Sequence, residues 1–220
     1  EYGSLFWGSL RSSGRSSDTD DAPSSLFSFA DGLETLPNTL AAEIGEDRIL
    51  QQARVVALDR DADRWTLTVE SDGPPAPSTP FDAVLSTVPL HALSDMDLGA
   101  TVDVSPLRNV DYPPVHVVAL GYDRRDVAHP LDGFGMLVPP VGEQFDVLGT
   151  IFSSTLFPGR APEGHVLLTT FVGGARNPTL ATRPPAEVQS VVERDLRRLL
   201  GISGAPRFTQ HVHWPRAIPQ

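Results

Sequence analysis

The sequence has no cysteine, and that one absence removes disulfides, thiol nucleophiles and thiolate metal sites together. It has no lysine either: all 17 basic residues are arginine, set against 28 Asp and Glu, for a net charge of -11. A surface of that sign repels phosphate backbones, so nucleic acid is not expected as a partner. A lysine-free, aspartate-rich surface also suits a concentrated-salt solvent, which concerns solubility and not chemistry. Long apolar runs are missing, none approaching the ~20 residues that cross a bilayer. No basic stretch followed by an apolar one marks a signal peptide. The expected location is therefore cytoplasmic. The G-x-S-x-G elbow of serine hydrolases and the H-E-x-x-H of zinc proteases are absent as well.

What is present is the material of a globular protein, 40% hydrophobic and 20% charged. Residues 1–10 carry Leu5, Phe6, Trp7 and Leu10 and are expected to dock against something. Residues 11–25, RSSGRSSDTDDAPSS, are almost without apolar side chains and are expected to form a mobile loop. Leu33, Leu36, Leu40 and Ile44 then recur at helical spacing, with Pro37 near the start and Gly45 at the end. RVVALDR (54–60) and RWTLTVE (64–70) read as a hairpin, the second alternating Trp65, Leu67 and Val69 with Thr66, Thr68 and Glu70. FDAVLSTV (81–88) is nearly continuous in apolar residues and predicts a strand buried on both faces.

A second unit opens near Asp111. VHVVALG (115–121), GMLV (135–138), VLGTIFS (147–153) and VLLTTFV (166–172) read as strands between Pro/Gly turns, and residues 207–214 as a last strand. Residues 185–200 read as an amphipathic helix, with Val188, Val191, Val192, Leu196, Leu199 and Leu200 on one face. Arg194, Asp195, Arg197 and Arg198 are assigned largely to the opposite face, and Gly201 ends the helix. The fold class that follows is α+β: a mixed, mostly antiparallel sheet domain over 111–220, beside a unit of helix, β-hairpin and buried strand over 26–110.

Motifs of the residues themselves decide little. Gly133-Phe134-Gly135 begins like a dinucleotide loop, but Val138 stands where the third glycine belongs and no helix follows. His211 and His213 would share one side of a strand, yet no third ligand accompanies them, and His91, His116, His129 and His165 are scattered without a base partner. No metal is expected. Phe134, Leu137, Ile151, Phe152, Phe157 and Phe171 lie on or beside strands of one sheet. They are either core residues or the walls of an apolar cleft, with Gly133, Gly135, Gly173 and Gly174 allowing close approach of a flat ligand. Periodicity does not choose between the two.

Read in order, DGLETLPNTLA (31–41), VLSTVP (84–89), GFGMLVPP (133–140), LGTIFSSTLFPGRAP (148–162), FVGGARNP (171–178) and AIPQ (217–220) resemble the protoporphyrinogen oxidases of the flavin amine-oxidase superfamily. The resemblance implies an FAD-dependent oxidoreductase that removes hydrogens from protoporphyrinogen on the way to haem. By the same resemblance the chain is an internal piece, with the G-x-G-x-x-G upstream, the terminal flavin segment downstream, and any membrane-associated insertion outside it. On its own it is expected to bind FAD weakly or not at all. Carried over by position, Val55 matches an adenine-side cofactor contact, and Thr87 and Pro89 are weaker cofactor contacts. Phe134, Gly135, Leu137, Ile151 and Phe171 match positions that line the tetrapyrrole pocket. The resemblance implies no catalytic acid or base in this chain; it leaves the oligomeric state open, a homo-oligomer included. A related amine oxidase or desaturase, or a non-catalytic porphyrin-binding domain, are the alternatives.

Overall fold

The structure, a computed structural model, describes residues 27–71, 80–99, 102–140 and 145–220. The expected docking segment 1–10 and loop 11–25 lie outside the described residues. The first helix, α1 (Thr35–Ile44), ends where Gly45 takes φ 94° and returns its N–H to the Ala41 carbonyl. Its apolar stripe of Leu36, Leu40 and Ile44 forms at the expected spacing but stays exposed. β1 (Ala53–Asp61) and β2 (Arg64–Ser71) pair antiparallel through a tight turn at Ala62, φ 52°. Along β2, Trp65, Leu67 and Val69 are half-buried while Thr66, Thr68 and Glu70 are exposed, as their alternation requires.

The run 81–88 departs from expectation. Phe81 and Trp65 exchange two backbone hydrogen bonds of 2.7 Å, after which residues 83–87 pair with no strand among the described residues, and Leu85 is 89% exposed. A continuous apolar run becomes a buried strand only when neighbouring strands satisfy its amides and cover both faces. No described strand does so here. Helix α2 (Leu90–Ser94) follows, the Pro89 carbonyl accepting the N–H groups of Ala92 and Leu93.

The second unit is an antiparallel sheet built from β3 (Val115–Asp123), β4 (Gly135–Leu137), β5 (Val147–Ile151), β6 (His165–Gly173) and β7 (Phe208–Trp214), in the order β4-β5-β6-β3-β7. A short helix α3 (Ser153–Leu156) links β5 to β6, and α4 (Pro185–Leu200) lies across one face. The α4 bounds match the expectation because both ends are locally encoded: proline in the first turn, and Gly201 in the left-handed region at φ 63°. Val118, Leu120, Tyr122, Val147, Leu168 and Val172 from the sheet bury against Val188, Val192, Leu196 and Leu200. Each such side chain contributes about 1.5–3 kcal/mol through burial. Asp195, assigned from the pattern to the solvent face of this helix, is instead fully buried. The α+β architecture is as expected, apart from the 81–88 segment.

Candidate functional site

Strand register divides the sheet into two chemical faces. Residues paired across strands point to the same side, so Gly135↔Ile151, Leu137↔Gly149, Gly149↔Phe171 and Val117↔Phe171 place Leu137, Ile151, Phe171 and Val117 together, away from the α4 core. That second face holds a cleft of ≈ 690 Å³ lined by Val115, Phe134, Gly135, Met136, Leu137, Leu148, Gly149, Thr150, Ile151, Phe171 and Ile218. Phe134, Gly135, Leu137, Ile151 and Phe171, the residues singled out in sequence, all meet in it. Phe134 and Leu137 are 55% and 90% exposed, so these side chains form an open wall and not an interlocked interior.

The sequence motifs did not single out Val115, Leu148, Gly149 and Ile218 as wall residues. Ile218 arrives through backbone bonds from Ala217 N–H to Pro113 O and from Gln220 N–H to Asp111 O, which fold the segment after β7 against the residues preceding β3. The sheet register and this return of the chain after β7 bring these together, and local spacing carries no such signal. Of the glycines expected to admit a ligand, Gly135 alone lines the cleft. A Cβ there would run into the Thr150 carbonyl oxygen and sit 3.0 Å from Ile151 Cα. Close approach at Gly135 is thus the approach of β5.

On the first unit, Val55 lines a hollow of ≈ 390 Å³ with Ala53, Arg54, Val56, Val88, His91, Ala92, Asp95 and Met96. Thr87 and Pro89 are exposed and lie outside that lining. His91 packs edge-on to Tyr112 at 4.9 Å, and its Nδ1 is buried without a hydrogen-bond partner among the described residues.

The histidines are less scattered than their spacing suggests. His116 stands opposite His213 in the β3/β7 register, with His211 two residues along on the same side. The Ala181 carbonyl can only accept, so His116 Nε2 donates to it at 2.9 Å, and His116 Nδ1 must then accept from His211 Nε2 at 2.6 Å. His211 Nδ1 is left as a buried atom without a partner among the described residues, and the His213 ring stacks on His116 at 4.2 Å. Burial lowers the pKa of both His116 and His211, helped by their histidine neighbours and opposed at His116 by its bond to Ala181. His165 also has a carboxylate neighbour, its Nε2 lying 3.2 Å from Asp123.

A pH dependence follows. Both imidazoles are neutral in either state above the ordinary histidine value of about 6.5, so this pair leaves stability flat there. As pH falls through that value, the unfolded chain takes up protons that the folded chain refuses, and stability declines until the lowered folded pKa values are reached. Urea unfolding from pH 8 to 5 should therefore show a wild-type loss that His211→Gln reduces; parallel curves for the two proteins would refute it.

Comparison with known proteins places the chain. The model of the family described as flavin containing amine oxidoreductase matches residues 3–220. The chain belongs to that family. Protoporphyrinogen oxidase 2 of Arabidopsis thaliana is 34% identical over 239 residues, covering 99% of this chain and 47% of its own length. The mitochondrial protoporphyrinogen oxidase of Nicotiana tabacum is 37% identical over 205 residues, covering 88% of this chain and 41% of its own. Among solved structures, the "Putative protoporphyrinogen oxidase" from Exiguobacterium sp. superposes with a TM-score of 0.70 at 22% identity, over 87% of this chain and 40% of the other. That likeness carries the fold. The chain spans less than half the length of these relatives.

Members of a flavin amine oxidoreductase family hold FAD, and the first unit fits part of one. The Val55 hollow has a mixed polar and apolar lining, and His91, whose buried Nδ1 has no hydrogen-bond partner among the described residues, is one of its walls. Among the described residues there is no glycine-rich loop opening a helix for the pyrophosphate. No helix among them is long and apolar enough to cross a membrane.

Proposed function

We propose that this chain supplies the substrate cleft, and part of the flavin support, of an FAD-dependent enzyme that oxidises protoporphyrinogen IX to protoporphyrin IX. One observation carries the reading: residues matched to the family's pocket positions from three separate strings converge on a single apolar cleft. A tetrapyrrole is wide, flat and largely greasy, and Phe171, Ile151 and Leu137 can hold its faces by burial and stacking. None of the described lining residues is ionisable, so this wall offers no partner to a charged group. The propionates must then point out of it, toward solvent or another part of the enzyme.

The flavin, when bound, accepts the electrons and hydrogen removed from the substrate. What the residues of this chain do is place the macrocycle and exclude water from it. Val55, with His91 nearby, would hold one edge of the cofactor. No acid or base is assigned in this chain, because the flavin carries the redox chemistry and the protein supplies placement. The location we propose is cytoplasmic, with any membrane contact made by other parts of the enzyme.

Titrating protoporphyrin IX into this chain and following its fluorescence tests the reading. Saturable binding is expected, and Phe171→Ala should weaken it about tenfold, the equivalent of ~1.4 kcal/mol for the loss of a stacked ring. Absence of saturable binding by the wild-type chain would refute the assignment of the cleft.

A further inference from the structure

The two described ends of the β4–β5 connection, at Val138–Pro139 and at Phe145–Asp146, are gripped by a set of polar side chains that the reading above leaves unused. The Arg176 guanidinium donates to the carbonyls of Val138 at 2.6 Å and Pro139 at 3.2 Å. The Asn177 amide donates to Asp146 Oδ1 at 3.0 Å. Arg194 donates to Asp146 Oδ2 at 2.6 Å and, through two nitrogens, to Asp195 Oδ1 at 2.9 and 2.8 Å. Asp195 Oδ2 accepts the backbone N–H groups of Asp146 at 2.7 Å and Val147 at 3.2 Å. Arg198 lies over the Phe145 ring at 4.6 Å.

Asp195 is the centre of this grip and its most expensive member. It is 0% exposed, on the inward stripe of α4 among Val188, Val192 and Leu196. A carboxylate taken out of water costs several kcal/mol unless donors surround it, and an apolar residue of similar size would fill the place without that cost. The four hydrogen bonds it accepts from the described residues come either from the first residues of the β5 arm or from the arginine that also binds Asp146. The charge is spent on where the hairpin sits. That hairpin is the sheet margin: β4 is three residues long and pairs with β5 alone among the described strands. Its outward face presents Leu137, Gly135 and Ile151 to the cleft.

We propose that Asp195 is a positioning residue of the cleft: through the amides of Asp146 and Val147 it fixes the β4–β5 hairpin, and so the spacing of the Leu137–Ile151 wall from Phe171. This rests on the reading of the cleft as the binding slot. Asp195→Asn keeps the shape and removes the charge; Arg176→Ala loosens the same turn from its exposed side without touching a buried group. Two readouts on this chain separate the possibilities, the affinity for protoporphyrin IX and amide hydrogen exchange along each strand. Asp195→Asn should raise the Kd about tenfold or more, as loss of a charged hydrogen-bond set would. Exchange should quicken at Met136, Val138 and Val147, whose N–H groups are held by β5 or by Asp195, while the β3 amides stay protected. Arg176→Ala should move both readouts the same way by a smaller factor, ~3-fold in Kd.

An unchanged Kd in a folded Asp195→Asn protein overturns the proposal, as does exchange that quickens evenly across the sheet, the mark of a residue that merely stabilises. If Asp195→Asn does not fold, an unchanged Kd in Arg176→Ala overturns it. The exchange arm needs no ligand. Should the wild-type chain fail to bind the porphyrin, the functional reading falls, and selective quickening in the hairpin still decides whether Asp195 holds it.

Discussion

Gly135→Ala is expected to remove porphyrin binding, with a Kd raised by well over tenfold, while the rest of the sheet stays folded. The added Cβ would collide with the Thr150 carbonyl oxygen and sit 3.2 Å from its carbon, so the obstacle is backbone that cannot rotate aside. Overpacking of this kind costs ~1–3 kcal/mol or more. The opposing force is a short ladder whose hydrogen bonds are each worth a net ~0.5–1.5 kcal/mol. The two are comparable, so β4 gives way locally and the Leu137–Ile151 wall moves with it. A Cβ at Gly133 would meet nothing within 4 Å, which makes Gly133→Ala the matched control. Fluorescence titration of both variants checks the expectation; equal binding by Gly135→Ala and wild type would show that this pairing does not set the cleft.

Leu196→Ala should carry the largest stability loss, about 2–5 kcal/mol by truncation in a packed core. Leu196 is 0% exposed, lies in the C-terminal half of α4 and belongs to the core that this helix forms with the sheet. Thermal unfolding followed by circular dichroism should fall by several degrees or more. A melting temperature within a degree of wild type would mean that α4 does not form the core with this face.

The sequence made α4 legible from end to end because its determinants are local: a proline start, a glycine stop and apolar residues at the helical repeat. Asp195 was misplaced because its charge was read before its position. It stands seven residues after Val188, on the stripe that Val188, Val192 and Leu196 define, and the repeat alone would have put it inside. The segment 81–88 shows the opposite failure. Its apolar composition is real, but composition does not supply the partners that make a strand, and Val84, Leu85 and Val88 remain exposed. The cleft was legible only through resemblance. Phe134, Gly135, Leu137, Ile151 and Phe171 meet because of the pairing β4-β5-β6, and pairing between distant strands leaves no trace in local spacing. The His116–His211 contact was hidden for the same reason, its members being 95 residues apart.

The alternation along the β4–β5 ribbon has an evolutionary consequence. Met136 and Thr150 face inward, toward the α4 side, while Leu137 and Ile151 face the cleft. Along β4 and from Gly149 to Ile151, side chains that answer to folding therefore alternate with side chains that face the cleft, while the bulge at Val147/Gly149 leaves Leu148 and Gly149 both in its lining. A lineage could exchange one set for a wider, narrower or more polar guest while leaving the other untouched, so that new specificities arise in this corner without each having to rediscover a stable protein.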